Sequence, residues 1–290
     1  MLIATTSLAS RLERAEADTA VAFARGAAAR GVDVLTHPIG GTMAVYGGPG
    51  QPFNKMAGLG FAPVDEAEIV RLESIYDARG GEIRVEQSSL ADPAVAAMLT
   101  RRGYALVGYE NVLGLPLSPG TTSAFARERD DARAAGIDIT RTEDVSTWIR
   151  TSAEGFLHPD AFDGPPPTET FGREAMEQIF EDFGCAEGCV LYLARRDGAI
   201  AGAGVLRIVG GLAQLGGAST LPPHRRRGIQ SALLRARLVD AAASGCDLAV
   251  VTTEPASKSQ ANVQRVGFTL LYVRAILVRP SSAADTGVRS

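Results

Sequence analysis

The chain has 290 residues, 46% of them hydrophobic and 21% charged, and its 29 Lys and Arg against 33 Asp and Glu give a net charge of −4. This composition excludes a wholly disordered chain, and the mild acidic balance excludes a general nucleic-acid-binding surface. With no apolar run near the roughly 20 residues of a membrane helix and no secretion signal in residues 1–7, we expect a cytoplasmic protein without membrane partners.

The first half of the chain alternates helical and strand patterns, and glycines mark the ends of the helices. In chain order, we predict helix 8–30, strands 34–35, 42–46 and 55–61, helix 65–78, strand 83–86, helix 92–102 and strand 106–113.

The segment 115–137 is small, polar and charged, which is typical of a connection between domains. Four prolines within residues 158–167 predict a loop. We therefore predict a degenerate domain at 1–118, a linker at 119–137, a catalytic domain at 138–280 and a flexible tail at 281–290.

The second half contains a hairpin signal, Asp197-Gly198, between two apolar runs. Its predicted elements are helices 143–156 and 171–183, strands 190–195, 199–209 and 214–221, helix 228–244, strand 248–252, helix 257–266 and strand 268–277. This order predicts an α/β (α+β) fold with a mixed sheet and helices on its faces.

The two halves repeat one another. The segment 80–85 aligns with 245–250. In the first half the next matching glycine, Gly103, lies 23 residues after Gly80. In the second half Gly267 lies 22 residues after Gly245. We interpret the chain as two copies of one α/β unit.

Arg225, Arg226 and Arg227 precede Gly228 between a predicted strand and a predicted helix. Backbone N–H groups at a helix N-terminus lack intrahelical acceptors and can bind a diphosphate, which Gly allows to approach closely. Arginine side chains add planar donors and positive charge. A basic solvated turn that merely begins a helix is the alternative interpretation.

This turn resembles the acetyl-coenzyme A signature Gln/Arg-x-x-Gly-x-Gly/Ala of the GCN5-related N-acetyltransferases (GNAT). Arg225 holds the first position and Gly228 the fourth, whereas Gln230 replaces the small sixth residue. The resemblance covers about residues 143–280 and extends to the first half as architecture. It implies two tandem acyl-CoA N-acyltransferase-like (GNAT) units.

The first copy lacks this turn. Pro63, which has no backbone N–H, aligns with Gly228, and three acids, Asp65, Glu66 and Glu68, stand near it. These carboxylates would repel a diphosphate, so we do not expect the first copy to bind coenzyme A in this manner. It could be a scaffold, a wall of the substrate cleft or an effector-binding module.

The resemblance implies acetyl-CoA as cosubstrate, with its pantetheine between the third and fourth long strands of the second copy. Backbone groups of Ser219, Thr220 and Leu221 would then bind the pantetheine and polarise the thioester. The other implied cofactor-binding residues are Arg225, Arg226, Arg227, Gly228, Ile229, Gln230, Ser231, Ser257, Ser259 and Asn262. Helix capping explains Ser257 equally well.

Direct attack by an amine needs a proton acceptor and a means to protonate the leaving thiolate. Many family members use a Tyr four residues before the Gly-Phe pair, where this chain has Val263. Tyr272 is our candidate acid, with core packing or water as alternatives. Glu254 is our candidate base, with an exposed strand end as the alternative.

The leading hypothesis is an N-acetyltransferase that acetylates a primary amine of a small molecule. The alternative is a non-catalytic module that senses acyl-CoA or a metabolite, and no peptide groove favours protein acetylation. In relatives the acceptor site includes the region of Trp148, Phe156, His158 and Phe162, aromatics that core packing also explains. We predict reduced cysteines and no metal site, and the oligomeric state stays open.

Overall fold

The computed structural model describes residues 2–159 and 170–280. The predicted tail at 281–290, most of the predicted proline-rich loop and Phe162 lie outside the described residues. The chain divides into two compact units. Of the described residues, 3–111 and 272–280 form the N-terminal unit, and 2, 112–159 and 170–271 form the C-terminal unit.

The N-terminal unit is a mixed sheet with helices. Its elements are α1 (Thr6–Ala29), β1 (Leu35–Ile39), β2 (Thr42–Tyr46), β3 (Lys55–Ala57), α2 (Glu66–Ala78), β4 (Ile83–Ser88), α3 (Pro93–Arg101), the start of β5 (Ala105–Pro116) and most of β11 (Thr269–Arg279). The strand order is β1-β2-β3-β4-β11, in which only β3 and β4 are parallel among the described pairs.

Local sequence signals explain the helix starts of this unit. Thr5, Asp65 and Asp92 each accept a hydrogen bond from a first-turn N–H of α1, α2 and α3, respectively. Such side-chain caps replace the acceptors that a helix start lacks. Buried apolar residues of α2, α3 and the strands then form one core, which includes Met56, Leu72 and Leu99.

The C-terminal unit is also a mixed sheet with helices, and the antiparallel part of its sheet is longer. Its further elements are α4 (Pro119–Ala134), β6 (Ile137–Arg141), α5 (Val145–Leu157), α6 (Arg173–Cys185), β7 (Cys189–Arg196), β8 (Ala199–Val209), β9 (Leu212–Thr220), a 3-10 turn (Pro222–His224), α7 (Ile229–Ala243), β10 (Leu248–Thr253) and α8 (Lys258–Val266). The strand order is β10-β9-β8-β7-β6, with β10 and β9 parallel and the others antiparallel.

The internal repeat is visible in the strand pairing. In the N-terminal unit β3 and β4 pair in parallel over three residue pairs, and α2 and α3 follow them. In the C-terminal unit β9 and β10 also pair over three residue pairs, and α7 and α8 follow them. The predicted mixed α/β sheet with two related units is therefore confirmed.

The prediction of a linker at 119–137 was wrong. This segment forms α4, which Ser118 caps and Pro119 begins, and β6 follows at Ile137 and pairs with β7. Phe125 is the one buried residue of α4 and packs in the core of the C-terminal unit. A helix that buries a single side chain has almost no apolar periodicity, so its sequence resembles a solvated connection.

The predicted domain boundary at residue 280 also differs from the structure. Residues Arg274–Arg279 of the last strand, β11, pair antiparallel with β4 of the N-terminal unit. The apolar pattern of 268–277 predicts a strand but does not indicate its partner. None of the described helices is long and apolar enough to cross a membrane.

Candidate functional site

Strands β9 and β10 separate towards their C-terminal ends. Their parallel ladder runs from Leu212 opposite Leu248 to Gln214 opposite Val250, whereas β9 continues to Thr220 and β10 to Thr253. On its other edge, β9 pairs with β8 as far as Thr220. The edge of β9 beyond Gln214 therefore presents backbone donors and acceptors to a ligand that can lie along a strand.

A bulge shapes this edge. The β8–β9 register shifts between Ala203 and Val205, and Gly217 of β9 has a φ of +52°, a left-handed conformation that favours glycine. Arg237 of α7 donates from Nη1 to the carbonyls of Val205 at 2.9 Å and Gly216 at 3.1 Å. Sequence reasoning missed Arg237, because an arginine within a helical pattern is normally solvated.

Burial of the Arg237 guanidinium lowers its pKa to about 10, a shift that Tyr192 partly opposes. The side chain also donates from Nε to the Leu233 carbonyl at 3.1 Å. A buried cation is costly unless its donors are satisfied. These carbonyls satisfy several of them, so Arg237 fixes the bulge from the helix side.

The turn between β9 and α7 leaves a helix N-terminus open. Gly228 precedes α7 with a φ of +83°, and it supplies no side-chain acceptor to the first turn. In contrast, side-chain oxygens cap six of the eight described helices. The N–H groups of Ile229, Gln230 and Ser231 are therefore the donors that an anionic ligand would meet here.

Positive charge surrounds this turn. The side chains of Arg226 and Arg227 are exposed, and Arg226 has a left-handed φ of +59°. Arg196, from β7, donates from Nη1 to the Arg227 carbonyl at 3.3 Å. Arg196 thus adds a third guanidinium, which the sequence could not reveal because it lies 31 positions away.

A buried hydroxyl group lies at the C-terminal end of each of the two diverging strands. Among the described residues, neither Thr220 Oγ1 of β9 nor Thr253 Oγ1 of β10 has a hydrogen-bond partner. Buried polar atoms without partners are uncommon, and a bound ligand is one way to satisfy them. The open helix start, the separated strands and these hydroxyls together fit a diphosphate attached to an extended polar chain.

The family comparison agrees with this geometry. Residues 157–268, which include the diverging strands and the turn, match the model of the acetyltransferase (GNAT) family. The match covers 112 of the 290 residues and identifies a GNAT domain within the C-terminal unit. The predicted resemblance is therefore confirmed, and GNAT proteins are N-acetyltransferases that use acetyl-CoA.

Solved structures show the same fold over nearly the whole chain. A GCN5-related N-acetyltransferase from Kribbella flavida has 17% identity and a TM-score of 0.62, and the match covers 96% of this chain and 98% of that one. A tandem GNAT protein from the clavulanic acid biosynthesis pathway has 14% identity and a TM-score of 0.54, with 91% and 95% covered. None of the curated proteins matches the chain significantly. At these identities the similarity supports the tandem GNAT fold.

The side chain of Arg225 is held by backbone oxygens, and its predicted part in cofactor binding stays a prediction. Its Nε donates to the Thr220 carbonyl at 3.2 Å, and its Nη2 contacts the carbonyls of Gly155, at 3.4 Å, and His158. These contacts direct the guanidinium towards α5. Arg225 is thus engaged with backbone oxygens, whereas Arg226 and Arg227 extend into solvent.

The other predicted strand residues differ in side-chain placement. Ser219 is buried and pairs with Ala203 of β8, and its Oγ donates to the Thr151 carbonyl of α5 at 3.4 Å. Leu221 is half-buried and donates its N–H to the Ala201 carbonyl at 3.0 Å. Ile229 is buried in the core, so its N–H alone can face a ligand.

The start of α8 holds three predicted residues. Ser257 is the N-cap and accepts from the Gln260 N–H at 3.1 Å, so the capping interpretation explains its hydroxyl. Ser259 is exposed, and Asn262 accepts from Arg265 at 2.8 Å. Val263, at the usual Tyr position, is buried in the core.

The position of Tyr272 does not support its predicted role as the general acid. The structure places it in the N-terminal unit, where its hydroxyl donates to Glu13 at 2.7 Å and burial, followed by the Glu13 charge, raises its pKa. The sequence pattern shows a tyrosine on a strand but not the unit to which that strand belongs. Glu254 is exposed directly after β10, in the C-terminal unit, so its role as the base stays a prediction.

The equivalent turn of the N-terminal unit lacks the open helix start. Asp65 Oδ1 accepts from the Ala67 N–H at 2.9 Å, and Glu66 and Glu68 stand in the first turn of α2. A groove of about 590 Å³ lies between this turn and α3, lined by Phe61, Val64, Met98 and neighbouring residues. Carboxylates at both adjacent helix starts disfavour a diphosphate there.

Proposed function

We propose that the C-terminal unit transfers the acetyl group of acetyl-CoA to a primary amine of a small molecule. The observation that carries this proposal is the uncapped start of α7 beside the diverging ends of β9 and β10. The first-turn N–H groups of α7 would hold the diphosphate, with Arg226 and Arg227 adding charge. Acetyl-CoA supplies the activated thioester when it is bound.

The chain's own groups orient the reactants. The β9 backbone beyond Gln214 offers hydrogen bonds to the pantetheine, and Thr220 and Thr253 offer hydroxyls near the strand ends. In direct attack the amine nitrogen forms a bond to the acetyl carbon, and the carbon–sulfur bond breaks. Glu254 takes the proton that the nitrogen loses, and solvent water protonates the thiolate, since Val263 cannot.

Calorimetry with acetyl-CoA tests the binding site. Reversing the charges of Arg226 and Arg227 to Glu should weaken binding by more than about tenfold, since two cations near a diphosphate become anions. The matched control reverses Arg129 and Arg133, which lie on the polar helix α4, and should leave binding unchanged. Equal binding by both double variants would contradict the proposed site.

A thiol-release assay with a panel of primary amines tests catalysis. Turnover that depends on the amine supports transfer, and Glu254→Gln should lower kcat by about 100-fold if Glu254 is the base. Unchanged turnover in that variant would remove Glu254 from the mechanism.

Acyl-CoA sensing is the second candidate. The buried Val263, in place of the usual acid, favours this alternative. Acetyl-CoA binding without turnover of any amine would support sensing over catalysis.

A further inference from the structure

The side chain of Arg225 connects two parts of the C-terminal unit. Its Nε donates to the Thr220 carbonyl at the end of β9, and its Nη2 reaches the carbonyls of Gly155 and His158 at the end of α5. Its own backbone stands at the start of the turn that precedes α7. We propose that Arg225 is a positioning residue, which couples the diphosphate turn to α5 and does not itself bind the diphosphate.

The end of α5 needs such a partner. The last four carbonyls of a helix lack intrahelical donors, and a C-terminal glycine in the left-handed region often satisfies them. Here the C-cap is His158, with φ −120° and ψ 69°, so that motif is absent from the described end of α5. The Arg225 cation supplies donors and also complements the negative end of the helix dipole.

Close packing holds the same end of α5 against β9. A Cβ atom on Gly155 would lie 2.4 Å from Ser219 Cβ, so only glycine allows this approach. Ser219 Oγ donates to the Thr151 carbonyl at 3.4 Å, one turn earlier on α5. We call Thr151, Gly155, Ser219, Thr220 and Arg225 the α5–β9 junction.

The junction links two events of the proposed reaction, and in this respect the inference rests on the proposed function. A diphosphate at the start of α7 would fix the turn that carries Arg225, and Arg225 would then fix the last turn of α5. That turn carries Phe156, a residue that is 42% exposed and whose ring centroid lies 5.3 Å from that of Phe180. Acetyl-CoA binding should therefore order an aromatic surface at the end of α5.

Hydrogen exchange of the full chain, read by mass spectrometry, tests this coupling. Without ligand, Arg225→Gln should accelerate exchange in peptides covering 152–158 by about tenfold, because the last turn of α5 loses its hydrogen bonds from the Arg225 guanidinium. The matched variant Arg226→Gln removes the neighbouring cation and should leave this exchange unchanged. Arg225→Lys should give an intermediate rate, since an ammonium cannot span three carbonyls as a guanidinium can.

Saturating acetyl-CoA then separates positioning from a merely structural role. In wild type and in Arg226→Gln, acetyl-CoA should slow exchange both in the turn and at 152–158. In Arg225→Gln it should slow exchange in the turn alone, with a Kd within about threefold of wild type. Gly155→Ala, which separates α5 from β9 by steric contact, should uncouple the two segments in the same way.

Unchanged exchange at 152–158 in Arg225→Gln would overturn the proposal. A loss of acetyl-CoA affinity larger than that of Arg226→Gln would also overturn it, because Arg225 would then be a ligand. If wild type shows no protection of the turn by acetyl-CoA, the proposed function fails. The comparison without ligand still decides whether Arg225 positions α5.

Discussion

Arg274 Nε lies 2.8 Å from Glu13 Oε1 inside the N-terminal unit, and both side chains are at most 2% exposed. Arg274 also contacts carboxylates of Glu16, Glu86 and Glu110 within 3.4–3.6 Å. Lys55 forms ion pairs with Glu16 at 2.6 Å and Glu86 at 2.9 Å, and Tyr272 donates to Glu13. A buried cluster of this kind is stable only while its charges remain compensated.

Replacing Arg274 with Met should destabilise the N-terminal unit by about 3–5 kcal/mol, because it leaves buried carboxylates without their main cation. Urea unfolding of the full chain measures the loss. Arg279→Met is the matched control on the same strand, since its pair with Asp77 at 3.1 Å is more exposed, and it should cost only about 0–1 kcal/mol. Equal losses in the two variants would contradict the importance of this cluster.

Glu110 gives the cluster a pH dependence. Burial, and then the Glu86 charge, raises its pKa from 4.5 to about 7, while Arg274 and Lys55 oppose the shift. Its folded-state pKa lies above its unfolded value. Its contribution to stability is therefore complete below about pH 4.5 and is lost as the pH rises to about 7.

We therefore expect Glu110→Gln, which stays neutral, to gain stability relative to wild type across this pH range. The gain should reach roughly 2 kcal/mol near pH 7.5, less than the full shift would give because the Glu110 side chain is 30% exposed and partly screened by solvent, and it should vanish near pH 4. Urea unfolding of both proteins at matched pH values measures the difference. A difference that is independent of pH would show that Glu110 does not titrate in this range.

The sequence could predict the signature turn and the repeated α/β order, because both depend on local patterns of Gly, Arg and apolar residues. It could not predict the cluster around Arg274, whose members come from α1, β3, β4, β5 and β11. Each of these residues alone resembles a solvated charge. For the same reason, the sequence suggested Tyr272 as an acid but did not indicate Glu13 as its partner.

The candidate site also contains some features that the sequence predicts and others that it does not. The Gly228 turn was readable because helix starts obey local rules, and the open first turn of α7 agrees with it. The sequence could not predict the contacts of Arg225 and Arg237, since both guanidinium groups bind backbone carbonyls of elements that are distant in the chain. Backbone acceptors leave no trace in residue types, so only the folded structure shows these contacts.

Arg237 should control cofactor binding through the bulge. Arg237→Leu leaves the Gly216 and Val205 carbonyls without this donor, and we expect a loss of about 2–4 kcal/mol in stability and weaker acetyl-CoA binding. Arg237→Lys keeps a charge but not the forked donors, so it should fall between Leu and wild type. Unfolding and calorimetry measure both effects, and unchanged affinity in a folded Arg237→Leu would contradict a role of the bulge in binding.

Gln230 offers a test of the sixth signature position, where the family has Gly or Ala. It is half-buried at the second residue of α7, next to the N–H groups that we assign to the diphosphate. Gln230→Ala removes side-chain atoms that compete for this space, and Ala also favours the helix, so acetyl-CoA should bind about threefold tighter. Ser231→Ala, one residue later, is the matched control and should change the Kd by less than about twofold. Weaker binding by Gln230→Ala would instead mean that the Gln230 amide itself contacts the ligand, and calorimetry with acetyl-CoA distinguishes the two results.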